Sequence, residues 1–383
     1  MAAVTSMETL ADEWLADDHV DEPKRLREAQ ACVDVLCSYL RSPYAPSNRE
    51  YSLTKRKVTR SEGSVELEEH HDYLLDDLAV RETIVRVIAA HLRTSSSAVP
   101  GPHTNLRPGP WSHMNFDLTG AHLHNLNLSA CVFVGDAQFQ EARFTGKLTT
   151  FRNAHFSHPE ITSFYGACFA SEVTTFRNAH FSVGPTSFYG AHFTGTADFF
   201  EANFTGGHTS FFRAHFSGRM TNFRDAHFTG GLTNFRDAHF TSDQTSFVDA
   251  RFTRRTIFDG SHFMGKVVSF QGARLTGNET TFALAESAYL GWMFDDADLT
   301  GVSRMPTGVC GVTNERTVWP VGLHSRPPGW AARGLTPHNS YWRSVLGGSP
   351  SSLQVDEIEL LDPRRHGPLS DTVPAEEPIR VAD

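Results

Sequence analysis

The chain has 383 residues and a net charge of −10, and all 29 of its phenylalanines lie between Phe116 and Phe294. Residues 111–302 carry 13 basic and 17 acidic side chains, so composition gives no support for a nucleic-acid partner. The five cysteines are odd in number and show no CxxC spacing, which argues against a disulfide framework, a zinc site or another cofactor. No apolar run approaches the roughly 18 residues of a membrane helix. We therefore expect a cytoplasmic protein, with peripheral membrane association left open.

Residues 1–93 are expected to form a small N-terminal α-helical domain. One apolar stripe follows the helix-start signal Asp21-Glu22-Pro23 and consists of Leu26, Ala29, Val33, Leu36 and Leu40. A second stripe contains Ile84, Ile88 and Leu92, and a shorter helix is expected around Leu10 to Leu15. The polar stretch 41–63 is predicted to be a long loop. Residues 94–112, rich in Ser, Pro and Gly, are expected to be a linker.

A five-residue spacing of apolar residues begins at Leu118 and soon settles into pairs of Phe. The gap is five residues within a pair and usually seven between pairs. The predicted core consists of Phe151/Phe156, Phe164/Phe169, Phe176/Phe181, Phe188/Phe193, Phe199/Phe204, Phe211/Phe216, Phe223/Phe228, Phe235/Phe240, Phe247/Phe252, Phe258/Phe263 and Phe270. Ala stands two residues before the second Phe of most pairs, and Thr mostly stands two before the first. Neither a helix nor a long strand has this period, so the chain must turn a corner about every five or six residues.

Three of these units, Ala121-His122-Leu123, Ala154-His155-Phe156 and Ala226-His227-Phe228, resemble the pentapeptide-repeat family, and the Phe centres are similar to a bacterial subfamily. The resemblance implies an all-β solenoid, a right-handed quadrilateral β-helix in which four units form the sides of one coil. The Ala and the central residue would then point inward. Two pairs per coil give 24 residues, and the helical segments are similar to regions that precede such repeats in relatives.

The chain is accordingly divided into the helical domain, the linker, a β-helix at 113–301 and two further segments. Residues 302–346, with Trp319, Trp330 and Trp342, are expected to cap the C-terminal end, and residues 347–383 are expected to be a disordered tail. The glycines near the longer gaps are expected at corners that need a positive φ; they are Gly146, Gly195, Gly206, Gly218, Gly230, Gly265 and Gly277.

Seven histidines directly precede a central Phe and should point outward. With 24 residues per coil, one column contains His192, His215, His239 and His262, and the opposite column contains His155, His180 and His227. We interpret these columns as surface residues of the repeat; metal binding is the alternative, although zinc prefers tetrahedral ligands. Neighbouring imidazoles should disfavour each other's protonation, which predicts folded pKa values below about 6.5. The cluster Glu68-Glu69-His70-His71-Asp72 is interpreted as a loop or a helix start.

An outward aromatic column is predicted from Tyr165, Tyr189 and Phe212, each of which follows a central Phe. Arg152, Arg177 and Arg224 hold the equivalent place on the opposite face, where Phe200 interrupts them. Exposed aromatic residues either mark a binding surface or stabilise the sheet as a cross-strand ladder. We take Tyr165, Tyr189, Phe200 and Phe212 as the candidate interaction surface.

No catalytic motif is present, since the chain lacks GxSxG, a P-loop, a dinucleotide fingerprint and HExxH. The sequence therefore favours a non-catalytic interaction or scaffold protein with a protein partner, whose identity and oligomeric state it does not reveal. One alternative, implied by the resemblance, is a DNA mimic that acts on DNA gyrase, a role that needs a strongly acidic face. A second alternative is a soluble relative of membrane-associated pentapeptide-repeat proteins.

Overall fold

The computed structural model describes residues 2–44, 52–61, 64–72, 77–93, 107–287, 292–305, 311–313, 316–320 and 331–332. All of them belong to one unit that spans Met1–Arg333. Most of the expected linker, Trp330, Trp342 and the expected tail at 347–383 lie outside the described residues.

Three helices precede the solenoid, α1 at Ala2–Ala16, α2 at Glu22–Arg41 and α3 at Leu78–Leu92. Asp21 caps α2, because its carboxylate accepts a hydrogen bond from the Lys24 backbone N–H at 3.3 Å. The predicted stripes of α2 and α3 are buried apart from Leu26, which lies at the exposed edge. The helical prediction is thus confirmed. Within the described ranges, no helix has both the length and the apolar character needed to cross a membrane.

An antiparallel hairpin lies between α2 and α3, with β1 at Ser52–Ser61 and β2 at Ser64–Asp72. The prediction of a loop was wrong for 52–61, and the prediction of a loop or helix start was wrong for 68–72. The register places Arg56 opposite Glu69 and Lys57 opposite Glu68. The polar composition alone suggested a loop, because it does not distinguish a strand from a loop.

The helices cover the first coil of the solenoid. Trp111 is fully buried; its Nε1–H donates to the Asp12 carboxylate of α1 at 2.9 Å, and its ring stacks on His91 of α3 at 4.1 Å. The Arg93 guanidinium donates to the Ser129 carbonyl at 2.7 Å. The apolar cores of the helices and of the coils are continuous, so the first hydrophobic layer of the solenoid is shielded from water.

The solenoid consists of short strands, each of two or three residues. In chain order, β3 to β35 are Phe116–Asp117, His122–His124, Val132–Phe133, Ala137–Gln138, Arg143–Thr145, Leu148–Thr150, His155–Phe156, Thr162–Ser163, Cys168–Phe169, Val173–Thr175, His180–Phe181, Thr186–Ser187, His192–Phe193, Thr196–Asp198, Asn203–Phe204, Thr209–Ser210, His215–Phe216, Met220–Asn222, His227–Phe228, Thr233–Asn234, His239–Phe240, Gln244–Ser246, Arg251–Phe252, Thr256–Ile257, His262–Phe263, Val267–Ser269, Arg274–Leu275, Thr280–Thr281, Glu286–Ser287, Trp292–Met293, Val302–Arg304, Gly311–Thr313 and Ala331–Ala332.

These strands form four parallel sheets, one on each side of the coil. Sheet 1 contains β3, β6, β10, β14, β18, β22, β26, β30 and β33, and sheet 2 contains β4, β7, β11, β15, β19, β23, β27 and β31. Sheet 3 contains β8, β12, β16, β20, β24, β28, β32, β34 and β35, and sheet 4 contains β5, β9, β13, β17, β21, β25 and β29. Thr162 pairs with Thr186, and Phe169 pairs with Phe193, so the predicted coil of about 24 residues is confirmed.

Stacked phenylalanine rings fill the interior, and 27 of the 29 Phe are buried. Phe188 is typical: its ring stacks on Phe164 at 4.7 Å and on Phe211 at 4.8 Å, with interplanar angles of 2° and 1°. It meets Phe176 and Phe199 of the opposite sheet edge-on, at 5.3 and 5.6 Å. Each ring thus has both of the arrangements that aromatic pairs prefer.

Positive φ angles occur in the turns within the Phe pairs. In one such turn the Ala154 N–H donates to the Phe151 carbonyl at 3.0 Å, and Asn153 between them has a φ of 55°. The same position holds Gly190, with a φ of 61°, and Arg213, with a φ of 53°. The turns within the Phe pairs therefore accept several residue types at their left-handed position.

The glycines of the longer gaps have another role, so the expectation of a positive φ was wrong for all of them except Gly146. A Cβ on Gly218 would lie 1.9 Å from the carbonyl oxygen of Gly195 in the previous coil. A Cβ on Gly265 would lie equally close to the Ser242 carbonyl oxygen. These corners lack a side chain because successive coils approach each other too closely there.

The stacked strands continue beyond residue 301. β33 extends sheet 1, while β34 and β35 extend sheet 3 into the segment expected to be a cap. Trp292 is fully buried near this end and contacts Phe263, Phe270 and Phe294. The division between a β-helix at 113–301 and a cap at 302–346 stays a prediction.

Candidate interaction surface

The predicted aromatic column lies on the corner between sheets 1 and 2. Tyr165, Tyr189 and Phe212 follow β10, β14 and β18, and both successive pairs of rings have centroids 5.1 Å apart. Tyr165 is exposed, and Tyr189 and Phe212 are half-buried. The structure therefore brings these three residues together in three consecutive coils.

Further apolar residues lie beside this column. Between Phe116 and Phe282, the exposed large hydrophobic residues are Ile161, Tyr165 and Val183, with 41, 45 and 50 % of their surface accessible. Ile161 and Pro185 directly precede β10 and β14, and the Thr162 N–H donates to the Pro185 carbonyl, which places them in neighbouring coils. We define the apolar face by these residues and the aromatic column: Ile161, Tyr165, Val183, Pro185, Tyr189 and Phe212.

Small residues hold the aromatic side chains in place. The Ser163 hydroxyl accepts the backbone N–H of Tyr165 at 3.3 Å, and Ser187 does the same for Tyr189. Gly190 follows Tyr189, and a Cβ built on it would meet nothing within 4 Å. The backbone beside the Tyr189 ring consequently borders open space, which leaves room for contact with another molecule.

Phe200 does not join the apolar face. It lies on the corner between sheets 3 and 4, where the Arg177 guanidinium is 4.7 Å from its ring and the Arg224 guanidinium is 5.9 Å away. The buried carboxylate of Asp198 accepts the Phe200 backbone N–H at 3.1 Å and the Asn222 amide at 2.9 Å. Arginines thus pack on both sides of Phe200, an arrangement that stabilises this corner.

The histidines form outward columns. In sheet 2 the rings of His192, His215, His239 and His262 have successive centroid distances of 4.7, 4.5 and 4.7 Å. Glu286 continues this column and lies 3.2 Å from His262 Nδ1. In sheet 4 the rings of His155 and His180 are 4.4 Å apart, but Asn203 separates His180 from His227.

Burial is the main cause of the shifted histidine pKa values. It lowers the pKa of His215 and of His239, and the neighbouring imidazoles are only the second cause. Burial also lowers the pKa of His155 to about 4, with His180 contributing, and lowers the pKa of His227, with Arg251 contributing. The expected direction is found for His215 and His239, although charge repulsion is not its largest source.

Within the part of the chain that the structure describes, no three His, Cys, Asp or Glu side chains are arranged to hold a metal ion. Stacked imidazoles point their nitrogen atoms side by side, whereas a metal needs them to converge. Cys131 is fully buried, and burial raises the pKa of its thiol to about 12, which makes it a poor nucleophile. Neither group indicates a catalytic or metal site.

The sequence patterns did not identify Ile161, Val183 and Pro185, because these residues lie in the variable gaps between the Phe pairs. The 24-residue offset between Ile161 and Pro185 is the sequence signal that could have found this pair.

Comparison with known proteins identifies the repeat. A family model described as pentapeptide repeats (9 copies) matches residues 118–167, which span β4 to β10 and reach into β11's preceding turn. A search of curated proteins found no match to the chain.

Proposed function

We propose that the chain, a β-solenoid whose residues 118–167 match the pentapeptide-repeat model, is a non-catalytic interaction module that recognises another protein through its apolar face. One observation carries this proposal. Three exposed large hydrophobic residues, Ile161, Tyr165 and Val183, lie within about one coil of each other, whereas Leu284 and Val318 lie near the C-terminal end of the solenoid. Clustered exposed apolar side chains on a folded protein are typical of interaction sites.

The architecture supports a recognition role. The aromatic residues of the apolar face are fixed to a backbone whose every coil is hydrogen-bonded to the next, as in the Tyr165 carbonyl that accepts the Glu141 N–H at 2.7 Å. Tyrosine and phenylalanine held in this way provide contact area with little loss of conformational entropy on binding. A solenoid surface of this kind offers a flat, extended site rather than a catalytic cleft.

The distribution of charge does not favour the DNA-mimic alternative. Asp237 pairs with Arg213 at 3.9 Å, Asp243 with Lys266 at 3.1 Å, and Glu279 with Arg255 at 3.0 Å. Basic side chains therefore interrupt the acidic surface that a duplex mimic would need. No specific observation favours this alternative or a relationship to membrane-associated relatives.

Affinity capture tests the proposal. Immobilised full-length protein is exposed to native cell extract, and retained proteins are compared between the parent and the double variant Tyr165→Asp, Tyr189→Asp. The matched control is Thr194→Asp, Ser217→Asp, which places the same charge on exposed positions of sheet 2. We expect the parent and the control to retain the same partner and the tyrosine variant to lose it. Equal retention by all three proteins would remove the apolar face from the proposal.

A further inference from the structure

We infer that the apolar face binds a second copy of this chain, with the two rods antiparallel. This inference rests on the proposed function and names the surface that is recognised. Each coil of the solenoid contributes one residue to each outward column, so the order of residues in a column is their order along the rod.

Two neighbouring columns carry the argument. The aromatic column continues Tyr165 and Tyr189 with Phe212 in the next coil. The second column, one residue further along each turn, runs from Glu141 through Gly166 and Gly190 to Arg213. Both glycines and both charged residues occupy the same left-handed turn position, with φ between 53° and 62°. An acidic and a basic residue thus flank the two glycines, and Asp237 follows Arg213 in the next coil of the same column.

A two-fold axis that lies in the interface, perpendicular to the rods and level with the midpoint between β10 and β14, makes these columns self-complementary. It places Tyr165 of one copy against Tyr189 of the other, and Gly166 against Gly190. The same operation places Glu141 of one copy against Arg213 of the other. In such an isologous interface each contact is formed twice, so two aromatic contacts and two opposite-charge contacts result from a single arrangement.

The parallel arrangement is disfavoured by the same charges. In a parallel dimer the two-fold axis would run along the rods, so each coil would face the same coil of the other copy. Glu141 would then lie near Glu141 of the other copy, and Arg213 near Arg213. Like charges facing each other across an interface oppose association and suppress that arrangement. Arg213 and Glu141 are both exposed, and Arg213 also lies 3.9 Å from Asp237 and 5.0 Å from the Phe212 ring in its own chain.

The size of the face sets the expected affinity. The charged ends lie three strand spacings apart, about 14 Å along the rod. A contact of this length falls at the small end of specific protein interfaces, where association is transient. We therefore expect a dimer with a micromolar dissociation constant rather than a permanent assembly.

Sedimentation velocity over a wide concentration range tests the inference with the full-length chain. The parent should show a monomer–dimer equilibrium. Tyr189→Asp should raise the dissociation constant more than about a hundredfold, because it brings a carboxylate into the apolar centre. Thermal melting should show that this half-buried substitution leaves the fold intact, and Thr194→Asp on sheet 2 serves as the matched control with parental association.

Charge reversal tests the antiparallel register. Glu141→Arg and Arg213→Glu should each raise the dissociation constant about fivefold or more, and the double variant should return it to the parental value. Glu201 already occupies the equivalent left-handed turn position in another turn, so the backbone tolerates this side chain there. A double variant as weak as the single ones would overturn the register.

A monomeric parent at all concentrations would overturn the inference itself. The proposed function would survive that result if affinity capture of another protein still depended on Tyr165 and Tyr189. Self-association that is unchanged in Tyr189→Asp, together with capture that is unchanged in the tyrosine double variant, would contradict both.

Discussion

Phe211 and Phe212 are consecutive residues with opposite surroundings. Phe211 is fully buried and stacks between Phe188 and Phe235, at 4.8 and 4.9 Å. Phe212 is half-buried and contacts Tyr189 on one side and the Arg213 guanidinium on the other, at 5.1 and 5.0 Å. The interior repeats the same residue types in coil after coil, whereas the outward column of Tyr165, Tyr189 and Phe212 changes its residues along the rod.

Inward residues therefore determine the stability of the solenoid, whereas outward residues are available for recognition. The inward set of Phe, Ala and Thr stabilises every coil in the same way, so an outward residue can change without altering the core. Charged, aromatic or small side chains can therefore follow one another along a column, as Glu141, Gly166, Gly190 and Arg213 do. A solenoid of this kind can acquire a binding face at little cost in stability.

The largest expected effect comes from breaking the interior. Phe211→Asp should lower the free energy of unfolding by at least the roughly 3–5 kcal/mol typical of truncating a buried Phe, because it also buries a charge. Phe212→Asp should cost less than about 1 kcal/mol, since its side chain is partly in water. Chemical denaturation of the two variants compares them directly. Equal losses would mean that the inward and outward assignments are wrong.

A smaller effect is expected from the corner glycines. Gly218→Ala should destabilise the protein by about 1–3 kcal/mol or more, because its Cβ would clash with a backbone carbonyl oxygen of the previous coil. Gly190→Ala should cost about 1–2 kcal/mol through its left-handed φ alone, since open space surrounds it. The urea concentrations at the midpoints of unfolding show which of the two variants is less stable. A larger loss for Gly190→Ala would show that backbone conformation, rather than coil spacing, selects these glycines.

The smallest expected effect is the pH dependence of stability that comes from His155, an outward residue that is partly buried. The pKa of His155 is lowered to about 4, so below about 6.5 the unfolded chain binds a proton that the folded chain does not. Stability should therefore be complete above pH 6.5 and decrease as pH falls toward 4.

His155→Asn should reduce this loss, which melting temperatures between pH 7 and pH 4.5 would measure. His192→Asn, at an exposed position of sheet 2, is the matched control. A variant that loses as much stability as the parent over this interval would show that His155 does not contribute to it.

The interior of the fold could be predicted from the sequence because packing repeats. The phase of Phe188 and Phe211, the coil of about 24 residues and the start of α2 at Asp21 are all consequences of local patterns. The hairpin of β1 and β2 was missed because its strands are polar, and polar composition does not distinguish a charged hairpin from a loop.

The surface could be predicted only in part. The aromatic column and the place of Phe200 on the opposite face followed from the coil length, but Phe200 was included in the candidate surface by residue type alone. Ile161 and Val183 belong to gaps of variable sequence, where exposure depends on how the backbone turns. The glycines at 195 and 218 were assigned to backbone conformation because close contacts between coils leave no mark in a single sequence.

Deleting one coil tests the account most directly. Removal of residues 217–240, which are 24 in number, joins Phe216 to Thr241 and keeps every later Phe in its column. Removal of residues 217–236, the 20 residues of a coil without the longer gaps, joins Phe216 to Asp237 and shifts the later residues out of register. Circular dichroism melts should show that the first variant unfolds cooperatively near the parental temperature and that the second has lost its β structure downstream of the junction. Equal behaviour of the two variants, or collapse of the first, would contradict a 24-residue coil with a fixed inward set.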